Sequence, residues 1–209
     1  MGRGFVAALI AGAAYMVVVL GYWSGPGAVV LKGAGVALLA LWAARQARSA
    51  DGWLIAGVMA LGATGDVLLE IAGLVPGAAA FLSGHILAIV LYRRNGAGWV
   101  PIAGSAVAVA AVARIVAHDP GVALYAAGLG AMAGAATGSR FPRRFVALGA
   151  WLFVVSDLLI FARMGLLADS MLPHLLIWPT YFAGQALIAW GVVTTLARRQ
   201  DDHGLHDRL

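Results

Sequence analysis

Six ionisable residues stand inside long apolar stretches of the sequence: Lys32, Asp66, Glu70, His85, Arg114 and Asp157. Asp66 and Glu70 are four residues apart and share a face if the stretch is helical. Tyr181 and Gln185 repeat that spacing near the other end of the chain. Removing a carboxylic acid from water favours its neutral form, and a neutral acid beside an ionised partner is what general acid–base chemistry uses. Two buried aspartates and one lysine leave charge uncompensated unless one carboxyl keeps its proton. Such a pair can protonate a weak base with one group, while the other stabilises the resulting cation or activates water.

Other chemistries lack their residues. The chain has no cysteine, which excludes disulfides, thiolate nucleophiles and cysteine metal sites. It contains no G-x-S-x-G elbow, no H-E-x-x-H pair and no phosphate-binding P-loop. The histidines at 85, 118, 174, 203 and 206 have no ligand spacing, so no metal is expected. His203 and His206, near the C-terminus, would hold only a stray ion.

The elements that must position these residues follow from composition. Of 209 residues 62% are hydrophobic and 11% charged, whereas a water-soluble domain carries about a quarter charged residues. The surface is therefore expected to face lipid. The net charge of +5 does not indicate nucleic acid, because the arginines come in small groups between apolar runs. A helix crosses the hydrocarbon core with about 20 apolar residues. Runs of that kind fall at Phe5–Tyr22, Gly27–Ala43, Trp53–Leu74, Gly77–Tyr92, Trp99–Ala117, Gly121–Gly138, Phe145–Arg163 and His174–Leu196. The first is longer than the apolar region of a signal peptide and is expected to be retained as a span.

With the N-terminus inside, Arg3, Arg45, Arg48, Arg93, Arg94, Arg140, Arg143, Arg144, Arg198 and Arg199 fall on the inner side, while the outer loops hold Asp119 and Asp169 and only Arg163 sits near an outer end. Trp53, Trp99 and Trp178 near span ends fit an aromatic belt. The expected fold is an all-α polytopic membrane protein. Eight transmembrane helices fill residues 1–197, followed by a short cytoplasmic tail at 198–209. Both termini are cytoplasmic, and the expected location is a cell membrane, the inner one in a bacterium. Gly65-Asp66-Val67-Leu68-Leu69 in the third span echoes Ser156-Asp157-Leu158-Leu159-Ile160 in the seventh, suggesting two parallel four-helix halves.

Depth sorts the polar residues. Asp66 and Asp157 fall at similar heights past the middle of two outward-running spans, with Glu70 one turn beyond Asp66. Lys32 lies roughly 8 Å from the outer end of the second span. His85 is midway along the fourth, and Tyr181 and Gln185 are in the outer half of the eighth. Intramembrane charge costs about 2.5–3.5 kcal/mol at a helix centre on insertion scales, so these residues are functional candidates. Each also has a plainer reading. Lys32 pairs with a carboxylate as a structural bridge, Arg114 snorkels to the interface, and His85, Tyr181 and Gln185 bond neighbouring helices. The many glycines, such as Gly62, Gly65, Gly128 and Gly134, allow close helix packing.

The blocks Gly62-Ala63-Thr64-Gly65-Asp66-Val67-Leu68-Leu69, Ala80-Phe81-Leu82-Ser83-Gly84-His85 with Tyr92, Gly149-Ala150-Trp151-Leu152-Phe153-Val154-Val155-Ser156-Asp157, and Tyr181-Phe182-Ala183-Gly184-Gln185-Ala186-Leu187-Ile188 resemble, in order and spacing, those of the YhhN family of integral membrane proteins. Lys32 stands where that family has a lysine in its second helix. Ile86-Leu87-Ala88-Ile89 departs from the pattern, because the family has an aromatic soon after the histidine; this bears on the shape of the substrate pocket.

The resemblance implies a lysoplasmalogenase, which hydrolyses the vinyl ether bond of a lysophospholipid substrate to a fatty aldehyde and a glycerophospho-head group. Proton transfer to the carbon beta to oxygen gives an oxocarbenium-like cation that water captures, chemistry that two carboxyls can share. Asp66 and Asp157 are expected to face each other in these roles, with Glu70 in reserve. Lys32 would hold one aspartate ionised or contact the lipid phosphate. His85, Tyr181 and Gln185 would orient water and the glycerol hydroxyl. No cofactor is required. Besides substrate, membrane lipid is the expected partner, and the sequence leaves the oligomeric state open. The rival reading is a proton-coupled transporter or flippase, which would use the same buried charges as a relay.

Overall fold

A computed structural model describes the backbone of residues 2–206 and the side chains of residues 2–202. Every regular element among the described residues is helical: α1 (Arg3–Ala14), α2 (Met16–Val19), α3 (Pro26–Gln46), α4 (Ala50–Ile71), α5 (Leu74–Arg94), α6 (Trp99–Ala117), α7 (Pro120–Gly138), α8 (Val146–Arg163) and α9 (Met171–His206). Helices α3 to α9 are each long and apolar enough to cross a membrane. The stretch Arg3–Val19, formed by α1 and α2, is shorter. Only Tyr15 separates its two pieces, and that residue keeps helical dihedrals (φ −63°, ψ −18°), so together they approach the lower limit for a span, about 17 residues. The chain is an all-helical polytopic membrane protein.

The connections are tight because local chemistry ends each helix. Gly25 (φ 97°) and Gly73 (φ 92°) take backbone conformations that only glycine adopts without strain, just before α3 and α5. Asp119 caps α7 by accepting from the N–H groups of Gly121 (2.6 Å) and Val122 (3.0 Å). Three expected boundaries move. The first span is shorter than Phe5–Tyr22, because Gly21 (φ 81°) follows the last turn. The fourth is a full 21 residues, since α5 begins at Leu74 directly after Gly73. The last does not stop at Leu196: α9 continues to His206, so residues 198–206 prolong the helix. The side chains of His203 and His206 lie outside the described residues.

Six helices close a ring in which each packs on the next: α3, α4, α5, α7, α8 and α9, with α9 returning to α3. α1 packs outside α3, and α6 packs outside α7. The ring is thus two triplets, each with one outer helix, and α4 and α8 are the middle members. This is the arrangement that two parallel four-helix halves produce. Close crossings rely on missing side chains. A Cβ on Gly149 of α8 would lie 2.6 Å from the Gly184 carbonyl of α9, and one on Gly184 would lie 2.6 Å from the Gly149 carbonyl.

The arginine-rich end is tied shut by a polar node. Asn95, buried, donates through Nδ2 to Asp51 Oδ2 (2.8 Å) and accepts from Arg199 Nη1 (2.8 Å), while its carbonyl accepts from Arg140 N–H (2.9 Å). Arg94 Nε pairs with the other oxygen of Asp51 at 2.6 Å. One node therefore joins α4, α5, α9 and the α7–α8 loop.

Candidate functional site

At the opposite end the ring encloses a cavity of about 400 Å³. Asp66 of α4 and Asp157 of α8 both line it, as do Lys32, Tyr125, Ser156 and Tyr181; most of the remaining wall is apolar, including Leu69, Phe81, Ile160 and Trp178. Asp66 is 1% exposed and Asp157 5% exposed, so neither side chain is turned out to lipid. The two middle helices of the triplets thus bring one carboxylate each to a single chamber. Phe81, Phe153 and Tyr181 form an edge-to-face aromatic cluster beside them, with ring centroids 5.0–5.9 Å apart.

Each aspartate is held by a tyrosine, and each tyrosine by a further residue. Tyr181 OH donates to Asp66 Oδ2 (2.9 Å), and Gln185 Nε2 donates to Tyr181 OH (3.4 Å). Tyr125 OH donates to Asp157 Oδ2 (2.7 Å), and His85 Nε2 lies 3.3 Å from Tyr125 OH. With the tyrosine hydrogen directed at Asp157, the imidazole Nε2–H is the donor of that second bond. Ser156 Oγ is 3.1 Å from Asp157 Oδ1 and 3.0 Å from the Phe153 carbonyl. The single hydroxyl hydrogen of Ser156 is shared between the Phe153 carbonyl and Asp157 Oδ1, whereas Asp66 Oδ1 has no hydrogen-bond partner among the described residues.

The two holding residues occupy matching places. Phe81-Leu82-Ser83-Gly84-His85 on α5 and Tyr181-Phe182-Ala183-Gly184-Gln185 on α9 share an aromatic-x-x-Gly-polar pattern in the last helix of each half. Small residues bring them close. A Cβ on Gly62 would lie 2.8 Å from Gln185 Nε2, and one on Gly65 would lie 2.7 Å from the Phe81 ring.

Other expected residues sit differently. Glu70 is outside the chamber. It lines an adjoining cavity and pairs with Lys32 (Nζ–Oε1 2.5 Å), with 40% of its side chain exposed, because one turn of α4 carries it past the chamber mouth. Lys32 borders both cavities and makes no hydrogen bond to either aspartate among the described residues. His85 and Gln185 are buried against the two tyrosines and are not among the residues lining the chamber. Arg114 is exposed in the last turn of α6, away from both cavities. Among the described residues, no group of three His, Cys, Asp or Glu side chains is placed to hold a metal ion.

Tyr125 was not among the expected residues, although a signal existed. It is the one tyrosine in a span of glycine and alanine, five residues past Pro120, a depth close to that of Lys32 past Pro26.

A ring of membrane helices that brings two buried carboxylates, from corresponding positions on α4 and α8, to one cavity defines a polytopic membrane protein with an intramembrane acidic site. The sequence profile of the YhhN family matches residues 27–192, most of the chain, and the protein belongs to that family. No curated protein and no solved structure matches it.

Proposed function

We propose that this protein is a membrane hydrolase that cleaves the vinyl ether bond of lysoplasmalogens, releasing a fatty aldehyde and a glycerophospho-head group. The observation that carries the proposal is the pair Asp66 and Asp157, buried from two helices into one largely apolar cavity. Membership of a family with lysoplasmalogenase-like members supports the reading.

Asp66 Oδ1 has no protein partner, so a proton on it faces the chamber without displacing a bond, which suits Asp66 as the first donor. Asp66 gives its proton to the carbon beta to the ether oxygen, forming a C–H bond and an oxocarbenium cation. Asp157, steadied by Tyr125 and Ser156, stabilises the cation and takes a proton from the water that attacks it. The hemiacetal then collapses. Its hydroxyl proton returns to Asp66, the C–O bond breaks, and Asp157 gives its proton to the departing glycerol oxygen. One water is consumed and both carboxyls return to their starting states. The polar node that ties the arginine-rich end favours a one-sided chamber over the alternating access that a transporter needs.

The test is incubation of detergent-purified protein with a lysoplasmalogen and with the matched saturated ether lysolipid, followed by aldehyde detection. Aldehyde should form only from the vinyl ether. Asp66→Asn and Asp157→Asn should each lower kcat by roughly 10²–10⁴-fold while the protein stays monodisperse. Near-normal turnover in either folded variant overturns its role, and transfer of intact lipid without aldehyde overturns the hydrolase.

A further inference from the structure

Lys32 is the one lysine of a chain whose other cationic side chains, histidine aside, are all arginine. It stands in the chamber wall with Asp66 and Asp157, with 16% of its side chain exposed. It also borders a second cavity of about 510 Å³, whose lining includes Glu70, Arg163 and His174. Leu69, Leu74, Ile160, Ile177 and Trp178 are common to both linings, so its nitrogen lies among mostly apolar groups. Its one hydrogen bond among the described residues goes to Glu70 Oε1, at 2.5 Å.

A primary amine in such a place is exposed to a side reaction once the chamber makes an aldehyde. A neutral amine attacks the aldehyde carbon: a C–N bond forms, the carbonyl oxygen leaves as water and a C=N bond remains. Apolar walls favour that condensation, because it releases water. An ammonium has no lone pair and does not attack. Lysines act as imine-forming nucleophiles where an apolar pocket or a neighbouring cation disfavours the ammonium. Both are at hand here, Arg163 being the cation in the adjoining lining. The carboxylate of Glu70 opposes them.

We propose that Lys32 is a latent imine-forming site for long-chain aldehydes, and that Glu70 keeps it closed by pairing with the ammonium. Which carboxylate does this matters. Asp66 and Asp157 each gain and lose a proton during turnover, so neither offers a constant charge. Glu70 stands one helical turn beyond Asp66, about 6 Å along the axis, outside the chamber. Its charge stays fixed while the acids cycle, and Lys32 stays an ammonium while aldehyde is released beside it. Glu70 is then a protecting residue, not a reserve acid. That aldehyde forms next to Lys32 rests on the preceding reading; the reactivity of the amine does not.

The experiment supplies the aldehyde directly. Full-length protein in detergent is incubated with hexadecanal and cyanoborohydride, which delivers hydride to the imine carbon and leaves a stable secondary amine. Peptide mass spectrometry reads the adduct, a gain equal to the aldehyde less one oxygen atom. A lysine peptide in the same tube calibrates the reagent. Lys32 of the unaltered protein should be alkylated slowly. Glu70→Gln and Glu70→Ala should each raise that rate about tenfold, the weight of one adjacent opposite charge. Lys32→Arg keeps the cation and removes the amine, so no adduct should form at that position. Glu70 is 40% exposed, so its variants should fold, and unchanged thermal unfolding checks this. Equal rates with and without Glu70 in folded protein overturn the proposal. So does the absence of any adduct at Lys32 in the Glu70 variants while the peptide is alkylated. Because the aldehyde is added, a protein that releases none from a lysoplasmalogen still gives this result, so the two readings fail separately.

Discussion

A tyrosine hydroxyl in lipid is tolerated when it has a partner, and here two of them hold the carboxylates in place. Tyr125→Phe removes the bond to Asp157 and leaves His85 facing a hydrocarbon ring. We expect kcat to fall roughly 10–100-fold with little change in KM, because the hydroxyl orients a reacting group rather than binding lipid. His85 discriminates between an orienting and a proton-carrying role. His85→Gln keeps a donor, as Gln185 does for Tyr181, and should retain most activity, whereas His85→Leu should match Tyr125→Phe. Steady-state aldehyde release from the three folded variants measures this. A His85→Gln protein as impaired as His85→Leu would show that the imidazole exchanges protons.

The chamber exists at the element scale because helices approach closely beneath it. At the α8–α9 crossing, Gly149 and Gly184 are backbone against backbone. Gly184→Val forces the helices apart and should cost about 1–3 kcal/mol, read as a lower thermal unfolding midpoint in detergent. Helix α5 contributes Leu74, Val75, Ala78 and Phe81 to the chamber wall. Ala78 lines the chamber near Val75, which is 78% exposed, so the apolar cavity reaches the lipid-facing surface there. The alkenyl chain is expected to leave by this route. Ala78→Trp should therefore lower kcat/KM for long-chain substrates about tenfold relative to short-chain ones. Equal effects across chain lengths would place the exit elsewhere.

At the scale of the whole molecule, the end tied by the Asn95 node and the acid-lined cavity lie at opposite ends of one ring. If the arginine-rich end faces the cytoplasm, the acid-lined chamber lies toward the other side. The absence of native cysteine makes a direct test available. Ala168→Cys, exposed in the α8–α9 loop, should react with an impermeant maleimide applied to intact cells, whereas Ala50→Cys at the arginine-rich end should react only after lysis. The reverse labelling would invert the topology and turn the chamber toward the cytoplasm.

Membrane spans, the alternation of arginines and the layer of polar residues were legible in the sequence, because each depends on hydropathy and height along a helix. Height is fixed by 1.5 Å per residue whatever the neighbours are. That Asp66 and Asp157 reach the same level was legible for the same reason, and both line one cavity. Rotation about each helix axis was not, since it depends on which neighbours pack where. Only the tertiary structure set Glu70 beyond the chamber against Lys32, put His85 and Gln185 behind tyrosines, and brought Tyr125 to Asp157. The sequence determined the level at which the buried polar residues stand. The ring of packed helices decided which side chains face one another across it.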